Sequence, residues 1–90
     1  MHVLEVIDVR LYDPKDYLKI ESLLCEVRES ETVIQVRLYR NLSVDSDVSV
    51  HLQWPSRIKG NGKSPLAHLL TDFLSSIGIV NHLALISEFD

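Results

Sequence analysis

One cysteine, Cys25, stands among the 90 residues. With no second thiol there is no internal disulfide scaffold, no zinc knuckle and no CxxC redox pair. A reduced, cytoplasmic setting is the expectation. Glycine and proline number three each, too few for a collagenous, linker-like or low-complexity chain. Aromatic residues make up 7%, which leaves little for the base-stacking platforms that RNA-binding sheets need. Positive charge is also scarce. Nine basic against thirteen acidic residues give a net charge of −4, which argues against nucleic acid or an anionic membrane as the main partner. No apolar run approaches the ~20 residues that span a bilayer, and the start of the chain lacks the basic-then-apolar form of a signal peptide.

What the chain does have is apolar residues, at 46%, in a length that suits one domain over residues 1–90. A domain of this size buries only about 60–65% of the surface its unfolded chain exposes. Association with a second copy is therefore expected before any motif is read.

Residues 3–11, Val-Leu-Glu-Val-Ile-Asp-Val-Arg-Leu, are rich in β-branched residues and apolar at both parities, as in a central strand covered on both faces. Asp13-Pro14 supplies an N-cap acceptor and a proline at the first helical position, so a helix is predicted from Pro14 to about Glu29. Its apolar stripe is Tyr17, Ile20, Leu24 and Val27, with Cys25 beside it as a small buried hydrophobe. Residues 32–40 and 47–54 each alternate. In the first, Ile34, Val36 and Leu38 oppose Gln35, Arg37 and Tyr39; in the second, Val48, Val50, Leu52 and Trp54 oppose Ser49, His51 and Gln53. A polar connection, 41–46, joins them. Ser64-Pro65 repeats the cap-then-proline device, and Leu66, Leu69, Leu70, Phe73, Leu74 and Ile77 form a stripe that ends at Gly78, read as a C′ glycine. Residues 79–87 form a last strand, apolar at both parities apart from Asn81 and His82.

The order β-α-β-β-α-β is the split βαβ, ferredoxin-like arrangement: a four-stranded antiparallel sheet with two helices on one face, an α+β fold. The apolar parity of the second and third strands must meet the helices. Gln35, Arg37, Tyr39, Ser49, His51 and Gln53 are left on the other face, together with apolar residues of the first and last strands. So much apolar surface on an open sheet face calls for a cover, either a second copy or a cavity wall.

On that face His51 is the candidate general base, because a neutral imidazole in a partly closed site takes protons near neutral pH. Arg37, Tyr39 and Gln53 are candidate ligand-binding neighbours, suited to holding the anion of a phenolic or enolic substrate. The competing reading is a dimer interface in which these polar groups bond across the two-fold. His82 has the same two readings, and Trp54 is read mainly as core filling at a strand end. His68 and Asp72, four apart on the second helix, form an exposed pair. Gly62-Lys63-Ser64 resembles the end of a phosphate-binding loop, but Arg57 stands where the first glycine of that motif belongs, so a surface loop before a helix cap is the expectation. The four histidines lack metal-ligand spacing, and no metal is expected.

With its third strand ending in Trp54 and followed by Ser56, its Ser64-Pro65 helix start and the close at Gly78, the chain resembles the dimeric α+β barrel superfamily, and within it the antibiotic biosynthesis monooxygenase-like domains. The resemblance spans nearly the whole chain. It implies a homodimer built through the sheet faces, a pocket between sheet and helices in each subunit, and cofactor-independent oxygenation of a small aromatic or phenolic substrate, with Trp54 among the ligand-binding residues. Haem-degrading proteins of similar type pair a first-strand Asn with a Trp and a helix His. Trp54 and His68 match the last two, but the first strand carries Asp8, so no cofactor is implied. The alternative function is a non-catalytic ligand-binding or dimerisation module of the ACT-like regulatory type. That type shares the element order but has a glycine in the turn where this chain has Tyr12-Asp13-Pro14.

Overall fold

The computed structural model describes residues 2–30, 33, 35–55 and 63–87. Strand β1 is Val3–Leu11, helix α1 is Tyr17–Ser30, β2 is Gln35–Arg40, β3 is Asp47–Trp54, α2 is Pro65–Ser75 and β4 is Gly78–Ile86. Together they make one antiparallel sheet in the order β2-β3-β1-β4, the α+β ferredoxin-like arrangement expected from the element order.

Local chemistry sets the ends. The Asp13 side chain accepts from the Lys15 amide at 3.0 Å, and Pro14–Asp16 forms a single 3₁₀ turn before α1 begins at Tyr17. Between β2 and β3, the Asn41 side-chain oxygen accepts from the amides of Ser43 and Val44 at 2.8 and 2.9 Å. This Asx turn is the device that closes the hairpin. Ser64 caps α2, its Oγ accepting from the Ala67 amide at 3.0 Å, with Pro65 at the first helical position. At the far end of β2 the Arg40 guanidinium lies over the Tyr17 ring, 3.6 Å from its centroid, which ties the start of α1 to the sheet.

The register decides the faces. Val3 pairs with Trp54, Glu5 with Leu52, Ile7 with Val50 and Val9 with Val48, while Val36 pairs with Leu52 and Leu38 with Val50. Ile7, Val9, Val36, Val48, Val50 and Leu52 therefore point one way and close a core with Ile20, Leu24 and Val27 of α1 and Leu66, Ala67, Leu70 and Leu74 of α2. Among the described residues, none covers the opposite face.

Four expectations change here. Strand β1 is central, but only its odd residues are fully buried, and Leu4 and Val6 lie half-exposed on the open face; apolar content at both parities does not bring a cover from within the chain. On α2 the buried arc is Leu66, Ala67, Leu70, Thr71 and Leu74, whereas Leu69 and Phe73 are exposed. The helix is turned so that Ala67 and Thr71 belong to the buried arc and Leu69 and Phe73 lie outside it. Gly78 is the first residue of β4, two beyond the Ser76 C-cap. A Cβ there would lie 2.5 Å from the Arg10 carbonyl oxygen, so its requirement is close approach to β1. Cys25 is exposed, one position off the buried stripe of α1. The expected start of β2 at 32 and the phosphate-loop-like stretch before Lys63, with Ser56, lie outside the described residues.

Candidate functional site

The open face is a grid of cross-strand rows. The register places Arg37, His51, Val6 and Leu83 side by side across the four strands, with Gln35, Gln53, Leu4 and Leu85 in the row below and Tyr39, Ser49, Asp8 and Asn81 in the row above. The β2–β3 half is thus polar and the β1–β4 half largely apolar. Leu83 and Leu85 are exposed to 38% and 52%, an apolar strip beside the polar groups, with exposed Ile79 beyond Asn81. The alternation in β2 and β3 predicted this placement of Arg37, Tyr39, His51 and Gln53, and the structure gathers all four on one surface.

Three of them also touch. The Arg37 guanidinium donates to the Tyr39 hydroxyl at 3.3 Å, and the Tyr39 and His51 rings stand 4.6 Å apart at 51°. His51 Nε2 in turn lies 3.1 Å from Ser49 Oγ. Leu4, Gln35, Arg37, Tyr39, His51 and Gln53 line a concavity of about 180 Å³. A larger one, about 540 Å³, begins on the other side of Tyr39 and runs past Asp8, Asn81 and the Arg10–Asp47 ion pair. Both are open to solvent.

His51 titrates below its ordinary value of 6.5. Burial is the first cause; the Asp8 carboxylate opposes it, while the Arg37 charge adds to it. The imidazole is thereby neutral at neutral pH, the form a general base needs. A lowered histidine pKa means that the unfolded chain takes up the proton first as pH falls. Stability is then complete above about pH 6.5 and declines as pH drops through that value towards the folded pKa. Urea unfolding of the wild type between neutral pH and about pH 5 is expected to show this decline, and His51→Gln is expected to show a shallower one. Equal slopes would mean that His51 is not held in the neutral form.

The other two predicted ligand-binding residues are elsewhere. Trp54 and His82 lie on the helix side of the sheet, where the register sets Val3 beside Trp54 and Ile7 beside His82. They meet at Glu5, whose side chain is fully buried. Trp54 Nε1 donates to Glu5 Oε1 at 2.6 Å, the Ser64 hydroxyl to the same oxygen at 2.6 Å, the Ser64 amide to Oε2 at 3.0 Å, and His82 Nε2 lies 2.8 Å from Oε2. Four partners on two oxygens fill the acceptor positions of a carboxylate, so its burial leaves nothing unpaired. Sequence reading passed over Glu5. The available signal was parity: it shares the inward phase of Val3, Ile7 and Val9, and a carboxylate at an inward position needs donors from other elements. Trp54 packs against the core as expected, but it has this second role. His68 is exposed on α2.

Among the described residues no three His, Cys, Asp or Glu side chains stand close enough to hold a metal ion, and no helix is long and apolar enough to cross a membrane.

No family model matches the chain, and no curated protein does. Solved structures do. A mutant form of the cofactor-independent oxygenase SnoaB from Streptomyces nogalater superposes with a TM-score of 0.73 over 99% of this chain and 95% of that one, at 10% identity. Rv0793 from Mycobacterium tuberculosis gives 0.71 over 100% and 98%, at 13% identity. A conserved protein from Methanosarcina mazei Go1 gives 0.68 over 98% and 94%, at 15% identity. At such identities the likeness is one of fold, and the fold shared is the α+β ferredoxin-like arrangement of a four-stranded antiparallel sheet and two helices.

Proposed function

We propose that the chain works as a homodimer closed through the open sheet face, holding a small aromatic or phenolic ligand beside His51 and oxygenating it without a cofactor. The observation that carries this reading is the open face itself, where the exposed strip of Leu83 and Leu85 adjoins a concavity walled by Arg37, Tyr39 and His51. Two such faces brought together would remove the apolar strip from water and enclose the polar wall. The site would then be lined by apolar surface with a few convergent polar groups, as ligand sites are. Within it neutral His51 takes the phenolic proton, and Arg37, with the Tyr39 hydroxyl, stabilises the phenolate that reacts with oxygen. Fold likeness to a cofactor-independent oxygenase supports the choice of chemistry.

Two measurements test it. Sedimentation across a wide concentration range is expected to show a dimer, and a monomer at every concentration would end the reading. An oxygen electrode with a panel of polycyclic phenols is expected to record uptake without added metal or flavin, reduced by about 10²–10⁴-fold in His51→Ala. Tight binding with no uptake in the wild type would instead favour the non-catalytic, ACT-like ligand-binding module.

A further inference from the structure

Beside the His51 concavity lies the larger one of about 540 Å³, within the roughly 300–1,000 Å³ of small-molecule sites. It follows a cross-strand row in which Asp8 of β1 stands between Ser49 of β3 and Asn81 of β4, with Tyr39 of β2 beyond Ser49. Its charges are not balanced. Arg10 and Asp47 neutralise each other through bonds of 2.9 and 3.2 Å, and the Arg40 guanidinium lies over the Tyr17 ring, which is not part of the concavity. The Asp8 carboxylate is left over: among the described residues it has no hydrogen-bond or ion-pair partner. Its charge is felt across the face, where it raises the proton affinity of His51.

We propose that this concavity is a site for a small organic cation, a primary amine carried on a short linker from one flat apolar ring. An ammonium group has three donors and no acceptor. Asp8 supplies the counter-charge, and the side-chain oxygen of Asn81, directly opposite Asp8 at about 4.5–5.5 Å between Cβ atoms, is a second acceptor within its reach. Two strand spacings, about 9–10 Å, separate Asp8 from Tyr39, with Ser49 between them. That span sets the ammonium over Asp8 and the ring against Tyr39, whose side chain is 44% exposed. An acid of the same shape would bring a like charge to Asp8 and is rejected. All these groups belong to one chain. The site therefore rests on neither oxygenation nor proton transfer at His51, and closure of the face by a second copy would enclose it.

The probe is 2-phenylethylamine, with 3-phenylpropionate as the anion of like shape. Proton–nitrogen NMR spectra of the whole chain at neutral pH are expected to show saturable shifts at Asp8, Tyr39 and Asn81 with the amine and none with the acid. Asp8→Asn is expected to weaken binding by about tenfold or more, the scale of one charge-assisted hydrogen bond. Asp72→Asn, the same charge change at an exposed position of α2, is expected to leave it unaltered. Asp8 is exposed and outside the core, so both variants are expected to keep the wild-type circular dichroism. Equal weakening in the two variants, shifts produced equally by the acid, or no saturable shift at millimolar amine overturns the proposal. The readout needs no oxygen uptake. A protein that binds the amine but oxygenates nothing, or that sediments as a monomer, fails the sheet-face reading and not this one.

Discussion

Glu5→Ala is expected to lower the unfolding free energy by about 3–5 kcal/mol, the scale of breaking one side of a buried charged network. The reason is what it leaves behind. Trp54, Ser64 and His82 all bond to this one carboxylate, and truncation orphans their donors. Each buried donor left unpaired costs about 1–3 kcal/mol. The carboxylate also ties β1 to β3, to β4 and to the first turn of α2, so its removal loosens four elements together. Against a total of about 5–15 kcal/mol for a domain, the variant is expected to be partly unfolded near its working temperature. Glu5→Gln separates charge from shape. It keeps the volume but turns an N–H₂ group towards donors, so a loss of about 2 kcal/mol is expected. Urea unfolding of the two variants and the wild type reads both values. A loss below about 1 kcal/mol for Glu5→Ala would mean that the network is replaceable by water.

Leu83→Asp is expected to raise the dissociation constant of the proposed dimer by about 10²–10⁴-fold. Fully burying a leucine contributes about 1.5–3 kcal/mol, and in a two-fold dimer every substitution counts twice. A gain lost in both copies is about 3–6 kcal/mol, where each 1.4 kcal/mol is tenfold. The carboxylates add a desolvation cost of their own at a closed interface. Leu83 belongs to the open face and not to the core, so far-UV circular dichroism is expected to remain that of the wild type. Leu18→Asp is the control, an equally drastic change at an exposed leucine of α1, and it is expected to leave association unaltered. If sedimentation shows the two variants associating alike, the sheet face is not the dimer surface.

The two experiments probe opposite sides of one sheet, and the sides differ in how far they could be read from residues alone. Strands β2 and β3 alternate strictly, so the phase that must be buried also names the phase that is left out. Arg37, Tyr39, His51 and Gln53 fell on the open face by that rule, and the register bears it out. Strands β1 and β4 have apolar residues in both phases. For them local pattern leaves the orientation open, and only the pairing of Ile7 with His82 turns His82 towards the helices. His82 and the open-face residues could not have been separated without it.

Glu5 makes the same point more strongly. Its partners lie 49, 59 and 77 positions along the chain, beyond any local motif, and a lone glutamate between Leu4 and Val6 gives no local sign of a hub. The order of elements, the capped helix starts at Asp13 and Ser64 and the two-faced strands were determined by the sequence itself, because each rests on interactions a few residues long. The burial of Glu5, the side taken by His82 and the role of Gly78 against the Arg10 carbonyl were decided by the tertiary structure, because strand register and helix rotation are settled only when distant segments pack.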